Sequence, residues 1–403
     1  MTRRVPDDTA PSYHSGRELH FLAGNKITLL CNGTEYFPAI EQAFDEARHE
    51  IFLETYIYED DFTGRHIAAA LMRAAQRGVT VRVLLDGFGS KDLPQTLIEE
   101  MRGAGVQLLH FRPEIARWKI RRHRLRRLHR KLIVVDGTLA FVGGINIIDD
   151  LDTPGHTPPR FDYAVAVQGP LLAHIYPVVR RLWALVTWTH FRQRWSRGSA
   201  PVSAAACGDI RAAFVVRDNL RHRRAIEDAY LDAIAAAQSE ILIANAYFLP
   251  GVNFRHALVE AAARGVRVTL LLQGRVEYLL LHYASRALYG SFLAAGIEIH
   301  EYHRSFMHAK VAVIDGRWAT VGSSNIDPFS LLLSREANVV VDDTAFAGQL
   351  RDSLQQAMAE GARPIQRAQW KQQPFFLRLL SWFSYGAVRF LMGMVGYGRE
   401  SRR

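Results

Sequence analysis

Short apolar runs alternate along this chain with segments whose apolar residues recur at helical spacing. The runs at 51–58, 79–85 and 105–110 have the length and composition of buried strands. Helical spacing fills the segments 36–49 and 64–76. Because strands and helices alternate in this order, we expect β-α-β units and a sheet that is parallel or mixed.

The second half of the chain repeats this plan. Strand-like runs return at 240–248, 266–272 and 296–300, with a helical segment at 257–263 between the first two. The offset between equivalent positions ranges from 179 residues (129 to 308) to 191 residues (105 to 296). Repeats of this length are far outside the periods of solenoid proteins. We therefore predict one duplicated domain with insertions and deletions in its loops.

One motif occurs once in each half. His129, Lys131 and Asp136 follow the pattern HxKxxxxD, and His308, Lys310 and Asp315 repeat it. Lysine is rare here, with only 6 among 50 basic residues, yet the motif uses two. These six residues are the candidate catalytic set.

The spacing within the motif separates its members. Residues two apart in a strand point the same way, so each histidine is predicted to project with its lysine. Each aspartate lies an odd number of residues further on and precedes a glycine, which favours a structural or orienting role. An asparagine follows each motif at a similar distance, at Asn146 and Asn325. Its amide can donate to an oxygen.

Two histidines, two lysines and two asparagines could converge at an interface between the halves. That set suits a phosphodiester, because one neutral imidazole can attack phosphorus while the other, protonated, delivers a proton to the leaving oxygen. Lysines and amides would hold the non-bridging oxygens. This chemistry requires no metal and no cofactor.

HxKxxxxD followed by GGxN or GSxN, twice in one chain, resembles the phospholipase D superfamily. Other stretches resemble its bacterial cardiolipin synthases of the short type, which lack N-terminal transmembrane helices; they include Glu54-Thr55-Tyr56, Asn245-Ala-Tyr-Phe and Glu336-Ala-Asn338. The resemblance covers about residues 23 to 360. It implies an α/β fold of two phospholipase D-like α-β-α domains, each a mixed sheet flanked by helices, related by pseudo-two-fold symmetry and sharing one active site.

The resemblance also implies roles for individual residues. His129 would be the nucleophile and His308 the general acid. Glu336 matches an acidic residue that orients a motif histidine, and we place the equivalent role of the first copy on Asp162. Ser323 matches a polar position of the motif, whereas its counterpart is Gly144. The lysines and asparagines would bind the phosphoryl oxygens.

The implied reaction is a phosphatidyl transfer. One phosphatidylglycerol would leave its phosphatidyl group on a histidine and release glycerol, and a second would resolve this adduct to cardiolipin. A hydrolase or headgroup-exchange enzyme acting on other phospholipids is the nearest alternative, since the same intermediate accepts water or other alcohols. A nuclease and a non-enzymatic membrane-binding protein remain further alternatives.

The net charge and the composition of the chain predict the kind of partner that it binds. A formal charge of +10 favours polyanions such as nucleic acid or anionic membranes. Residues 1–20 carry charges and proline but no apolar run, so we expect neither a signal peptide nor a transmembrane anchor there. The two cysteines, Cys31 and Cys207, form no disulfide framework. We expect a peripheral or monotopic protein at the cytoplasmic face of the bacterial membrane that binds phosphatidylglycerol and cardiolipin but no nucleic acid.

Three segments carry the predicted membrane contacts. A basic insertion at 112–128 has no counterpart in the second half and includes Trp118, Lys119, Arg121 and Arg122. A helical stretch at 171–197 is rich in tryptophan and arginine, which suits either a core-plus-rim helix or an interfacial one. The tail from Pro374 to Tyr397 is amphipathic, with Phe383 and Phe390 on its apolar face. We expect it to lie in the membrane interface rather than to span the bilayer.

These patterns divide the chain into four parts. A polar leader occupies 1–22, the first domain 23–200, the second domain 201–370 and the membrane-associating tail 371–403. The oligomeric state is not predicted.

Overall fold

The computed structural model describes residues 19–112, 126–153, 157–189, 202, 205–218, 222–276, 279–327, 334–372 and 374–394. The strands of the first half are β1 (Leu22–Cys31), β2 (Glu50–Thr55), β3 (Thr80–Asp86), β4 (Gln107–Phe111), β5 (Arg127–Leu128), β6 (Lys131–Val135), β7 (Leu139–Gly143) and β8 (Tyr163–Gln168). Its helices are α1 (Asn32–Glu46), α2 (Phe62–Gln76), α3 (Gln95–Gly103) and α4 (Leu172–Thr189).

The second half follows the same order and adds elements at its end. Its strands are β9 (Ile210–Arg217), β10 (Glu240–Asn245), β11 (Arg267–Gln273), β12 (Glu298–Tyr302), β13 (Lys310–Ile314), β14 (Trp318–Gly322), β15 (Ser334–Asp342) and β16 (Ala362–Pro364). Its helices are α5 (Ala225–Ala236), α6 (Val252–Ala263), α7 (Leu279–Ala294), α8 (Thr344–Gly361), α9 (Arg367–Lys371) and α10 (Phe375–Met394).

The strand order repeats between the halves. In the first half it runs β1-β8-β7-β6-β2-β3-β4, and in the second β9-β15-β14-β13-β10-β11-β12, with β16 added at the edge. The pairs β2–β3, β3–β4, β10–β11 and β11–β12 are parallel. The two orders meet where β1 pairs antiparallel with β9. This arrangement confirms the predicted mixed sheet and relates the halves as a two-fold axis would.

Apolar packing joins the halves. One core cluster combines residues of β6, β7 and β8 with residues of β13, β14 and β15, together with apolar side chains of α4 and α8. Helices α1, α2 and α3 cover the first half's strands on another face, and α5, α6 and α7 do so in the second half. Each half of the sheet is therefore flanked by helices, as predicted.

One local prediction was wrong. The motif histidines do not lie within strands, because β6 begins at Lys131 and β13 at Lys310. Each histidine instead belongs to the connection that leads into its strand, where it can make contacts outside the ladder.

Candidate active site

The backbone of each motif histidine is bound to the opposite half of the molecule. Strand β5, just before His129, pairs with the start of β15, and the His129 amide donates to the Arg335 carbonyl over 3.0 Å. In the second copy the His308 amide donates to the Phe161 carbonyl over 2.8 Å. Both histidines are thus placed by the contact between the halves.

The carboxylates are exchanged between the halves as well. Nδ1 of His129 lies 3.0 and 3.2 Å from the two carboxylate oxygens of Glu336. Nδ1 of His308 lies 2.7 Å from Oδ2 of Asp162. Because a carboxylate accepts a hydrogen bond, it fixes the proton on Nδ1 and leaves Nε2 with a lone pair for chemistry. The sequence predicted that these two carboxylates orient motif histidines, and the structure shows that each carboxylate contacts the histidine of the other copy.

The two lysines lie beside these pairs and are buried. Nζ of Lys131 donates to the His129 carbonyl over 2.8 Å, and Nζ of Lys310 donates to the His308 carbonyl. Nζ of Lys310 is also 3.6 Å from Oδ2 of Asp162. Each ammonium therefore supports the backbone that carries the nearby imidazole.

Burial lowers the pKa of the basic groups in this site, and the lysine charges add to the shift. Burial, and then the charge of Lys310, lowers the pKa of Lys131 to about 7. Burial and Lys310 also lower the pKa of His308 to about 3, although Asp162 opposes the shift. The pKa of His129 is lowered in the same direction, chiefly by burial. Both imidazoles are therefore neutral at neutral pH.

The carboxylates remain ionised despite their burial. Burial raises the pKa of Asp162, but the Lys310 ammonium and His308 outweigh it, and the net shift is downward. For Glu336 the same competition, with His129 and then Arg217 as the opposing groups, also ends below the usual value. The site thus combines two ionised carboxylates with at least one cationic lysine and two neutral imidazoles.

The difference between Gly144 and Ser323 has a physical reason. A Cβ atom on Gly144 would lie 2.3 Å from Oδ1 of Asp162, so only glycine leaves room for that carboxylate. Ser323 instead donates to Oε2 of Glu336 over 2.5 Å and accepts from the Ala337 amide over 3.1 Å. The serine therefore holds the carboxylate that contacts His129.

The asparagines occupy unequal surroundings. Asn146 accepts from the Ile57 amide over 3.1 Å and lines a pocket of about 70 Å³ together with Asp162 and His308. Asn325 is buried, and its amide oxygen has no hydrogen-bond partner among the described residues. Asn146 is thus placed beside the histidine of the second copy.

The motif aspartates lie away from the imidazoles. Five residues of strand separate Lys131 from Asp136, a distance of about 16 Å. The Asp136 carboxylate accepts from the backbone amides of Arg48, His49 and Glu50, each over 2.8 Å. Asp315 does the same at the equivalent segment, accepting from the amides of residues 238, 239 and 240. Their inclusion in the catalytic set is therefore corrected: they tie strand ends together, as their odd spacing predicted.

Comparison with known proteins shows the family to which this chain belongs. The family described as "Cardiolipin synthase, PLD-like domain" matches residues 40–150 and 230–358. Cardiolipin synthase B of Shigella flexneri is 38% identical over 374 residues, which is 93% of this chain and 90% of that protein. The chain belongs to the cardiolipin synthase family of PLD-like proteins.

Further relatives agree with this assignment, and a solved structure has the same fold. Cardiolipin synthase B of Escherichia coli K12 is likewise 38% identical over 93% of this chain, and cardiolipin synthase of Geobacillus thermodenitrificans is 32% identical over 92% of it and 73% of its own length. The crystal structure of phosphatidylserine synthase from Haemophilus influenzae superposes with a TM-score of 0.67 at 15% identity, covering 93% of this chain and 96% of that one. The latter likeness concerns the fold alone.

The structure adds site residues that sequence reasoning did not select. The ring of Tyr56 packs against His129 with centroids 4.8 Å apart, and Nζ of Lys131 lies 5.4 Å from the same ring. Asp150 and Arg160 line the small pocket beside His308. Burial raises the pKa of Asp150 to about 7. Tyr56 stands in the Glu54-Thr55-Tyr56 stretch that carried the family resemblance, which was the one available signal.

The predicted membrane contacts divide into two groups. Trp118, Lys119, Arg121 and Arg122 lie outside the described residues. Phe383 and Phe390 are on α10 and are 73% and 67% exposed. None of the helices in the described part of the chain combines the length and apolar character needed to cross a membrane.

Helix α10 packs on α7 through its small-residue face. Among the residues of α10 whose side chains the structure describes, Ser381, Ser384 and Val388, at helical spacing, are the buried ones, and α10 and α7 are in extensive contact. The opposite side leaves large apolar side chains exposed, namely Phe375, Phe376, Leu379, Trp382, Phe383 and Phe390. The helix is thus attached to the protein while its apolar face points outward.

No group of three or more metal-binding side chains lies together within the described residues. Cys31 and Cys207 are free thiols.

Proposed function

We propose that this protein is a phosphatidyltransferase that makes cardiolipin from two molecules of phosphatidylglycerol through a phosphatidyl-histidine intermediate. The observation that carries the proposal is the pair of motif histidines, each held at Nδ1 by a carboxylate of the other half. Membership of the cardiolipin synthase family supports the choice of lipid.

In the first step Nε2 of His129 attacks the phosphorus of phosphatidylglycerol, and the bond to the glycerol headgroup breaks. Glycerol leaves with a proton from Nε2 of His308. The nucleophile must be neutral, and the lowered pKa of His129 provides this. The acid must be protonated, and the negative phosphodiester raises the pKa of the adjacent imidazole when it binds.

The lysines stabilise charge that develops on the phosphoryl oxygens. Lys131 and Lys310 are buried, so their ammonium groups act in a medium of low effective dielectric constant. Asn146 and Asn325 complete the set of polar groups around the phosphate. Glu336 and Asp162 stay ionised and stabilise the imidazolium that forms on the histidine each contacts.

In the second step a hydroxyl of another phosphatidylglycerol attacks the phosphorus of the adduct, the bond between phosphorus and Nε2 of His129 breaks, and His308 accepts the hydroxyl proton. A phosphodiester is exchanged for a phosphodiester, so no nucleotide is needed to drive the reaction. Water would give phosphatidic acid instead. Exclusion of water from the adduct therefore decides between synthase and hydrolase.

Membrane contact is part of the proposal because both substrates are lipids. The exposed apolar face of α10 suits insertion at the level of the lipid headgroups. We place the protein as a peripheral or monotopic enzyme on the cytoplasmic face. The chain's formal charge of +10 favours that anionic surface.

The test is to incubate the purified full chain with phosphatidylglycerol vesicles and to identify products and adducts by mass spectrometry. We expect cardiolipin and glycerol, with a phosphatidyl adduct on the peptide that contains His129. His129→Asn and His308→Asn should abolish turnover, whereas the control His66→Asn, at an exposed helix position, should not. Phosphatidic acid as the sole product, or wild-type turnover by His129→Asn, would contradict the proposal. An adduct on His308 would reverse the two roles.

A further inference from the structure

A second pocket lies in the second half, where α10 meets the helices beneath it. It has a volume of about 550 Å³ and is lined by residues of α6, α7, α9 and α10. None of the motif residues, and neither of their carboxylate partners, contributes to it. Its size falls within the range of small-molecule binding sites.

Among the residues that the structure describes, arginine and tryptophan line the pocket together with small and aliphatic residues, and none of its lining residues is acidic. The polar and aromatic residues that define its character are Arg255, Arg286, Arg367, Arg378, Trp370 and Trp382. Guanidinium groups bind phosphate with two parallel hydrogen bonds, and a set of them favours a phosphate-bearing ligand.

Two of these arginines are already oriented within the pocket wall. Arg286 donates to Glu301 over 2.7 Å and lies over the Trp370 ring, with its Cζ 5.1 Å from the ring centroid. Arg255 has a buried Nε without a hydrogen-bond partner, and its Cζ is 6.0 Å from the Tyr385 ring. Arg286 thus has one neutralising partner, whereas Arg255 has a donor that a ligand can satisfy.

The surroundings of the pocket indicate what is attached to the phosphate. Trp382 lines the pocket and is 58% exposed, and it stands beside the outward apolar face of α10. Tryptophan and arginine together are typical of the headgroup level of a bilayer. A ligand that has its phosphate in the pocket can lay apolar chains along Phe376, Leu379 and Phe383, which are exposed.

We propose that this pocket binds the headgroup of an anionic membrane phospholipid at a site separate from the active site. The bound lipid holds α10, and through α7 the second half of the enzyme, at the membrane surface. This inference does not depend on the chemistry proposed for the histidines.

The experiment compares binding of the full-length protein to vesicles of phosphatidylcholine and to vesicles of an equimolar mixture with phosphatidylglycerol. The test variant is Arg255→Ala/Arg378→Ala. The control variant, Arg65→Ala/Arg363→Ala, removes the same charge at exposed positions outside the pocket. At about 1 kcal/mol for each arginine near an anionic surface, the test variant should bind the mixed vesicles about 30-fold more weakly, and the control much less so.

Two further measurements, a competition experiment and a determination of oligomeric state, distinguish a lipid from other occupants of the pocket. Soluble glycerol 3-phosphate should compete poorly with the vesicles, because it lacks acyl chains; strong competition would assign the pocket to a free phosphate compound and overturn the lipid assignment. A change in oligomeric state of the test variant, with vesicle binding retained, would make the pocket a subunit interface instead. Equal losses in the test and control variants would reduce the effect to non-specific charge and also overturn the proposal.

The outcome is separable from that of the proposed function. His129→Asn should lose turnover and keep vesicle binding. The pocket variant should keep wild-type turnover of short-chain phosphatidylglycerol presented below its micelle concentration, because that substrate reaches the active site without a membrane. Loss of this soluble activity in a folded pocket variant would place the arginines in the catalytic site and refute their separate role.

Discussion

Gly144 and Ser323 occupy equivalent positions of the two copies, but the first has no room for a side chain and the second uses its side chain to bind a carboxylate. This difference leads to a specific prediction. In Gly144→Ala the new Cβ would lie 2.3 Å from Oδ1 and 2.5 Å from Oδ2 of Asp162. Since Cβ contacts below 3.0 Å are essentially never observed, the carboxylate must retreat by at least 0.7 Å (3.0 minus 2.3). Asp162 lies 2.7 Å from Nδ1 of His308, so this retreat displaces the group that orients the imidazole.

Displacement of a reacting group by about 1 Å can reduce a rate about 100-fold. We therefore expect Gly144→Ala to lower kcat by about two orders of magnitude, and overpacking to lower the free energy of unfolding by about 1–3 kcal/mol. The assay is kcat for phosphatidylglycerol turnover, together with urea unfolding of the same preparation.

Two further variants complete the test. Gly348→Ala is the matched control, since a Cβ there would have no neighbour within 4 Å; it should keep kcat and, because the position is inside α8, should raise the free energy of unfolding by about 0.5–1 kcal/mol rather than lower it. Ser323→Gly gives the second copy the residue of the first and removes the hydrogen bond to Glu336. Loss of a hydrogen bond to a charged group costs about 1.5–3 kcal/mol. If this cost is fully expressed in the transition state, kcat of Ser323→Gly should fall about 10- to 100-fold. Wild-type kcat in Gly144→Ala would refute the reasoning.

Three other predictions concern single groups. Glu336→Gln keeps the shape but removes the charge that stabilises the imidazolium, so kcat should fall by about 10²- to 10⁴-fold with the fold intact by circular dichroism; an effect on KM alone would contradict the orienting role. Because the pKa of Lys131 is about 7, the fraction of Lys131 that is cationic declines as pH rises through 7, and kcat/KM should fall there. In Lys131→Arg that fall in kcat/KM should shift to higher pH. An unchanged pH profile in this variant would show that another group titrates. Asp136→Asn weakens hydrogen bonds from three backbone amides. It should therefore lower the free energy of unfolding by about 1–3 kcal/mol and leave kcat unchanged. A reduced kcat at unchanged stability would restore a catalytic role for this aspartate.

Much of the fold was predictable because its signals are local. Apolar runs at strand length and helical spacing located β2, β3 and β10 and the helices near them. The repeat of these patterns predicted the duplication, and the matched strand orders confirm it. Local patterns were less accurate at strand ends, where the prediction placed His129 inside a strand that begins two residues later.

The outward face of α10 was also readable from the sequence. Helical spacing alone placed Phe376, Phe383 and Phe390 on one side, and all three are exposed. That Ser381 and Ser384 would form the buried side was not readable, because small polar residues pack on a helix only when a particular partner, here α7, comes close enough.

The chain by itself determined the chemical inventory: two HxK motifs, two following asparagines, two candidate carboxylates and a pair of aspartates with odd spacing. Only the tertiary structure decided how these residues are combined. Glu336 contacts His129 and Asp162 contacts His308 across the two halves, although 207 and 146 residues separate them in the sequence. The physical reason is that strand pairings between the halves bring each carboxylate to its histidine. These pairings are β5 with β15 and the Phe161–Met307 bridge. Such long-range pairings leave no local pattern in the sequence.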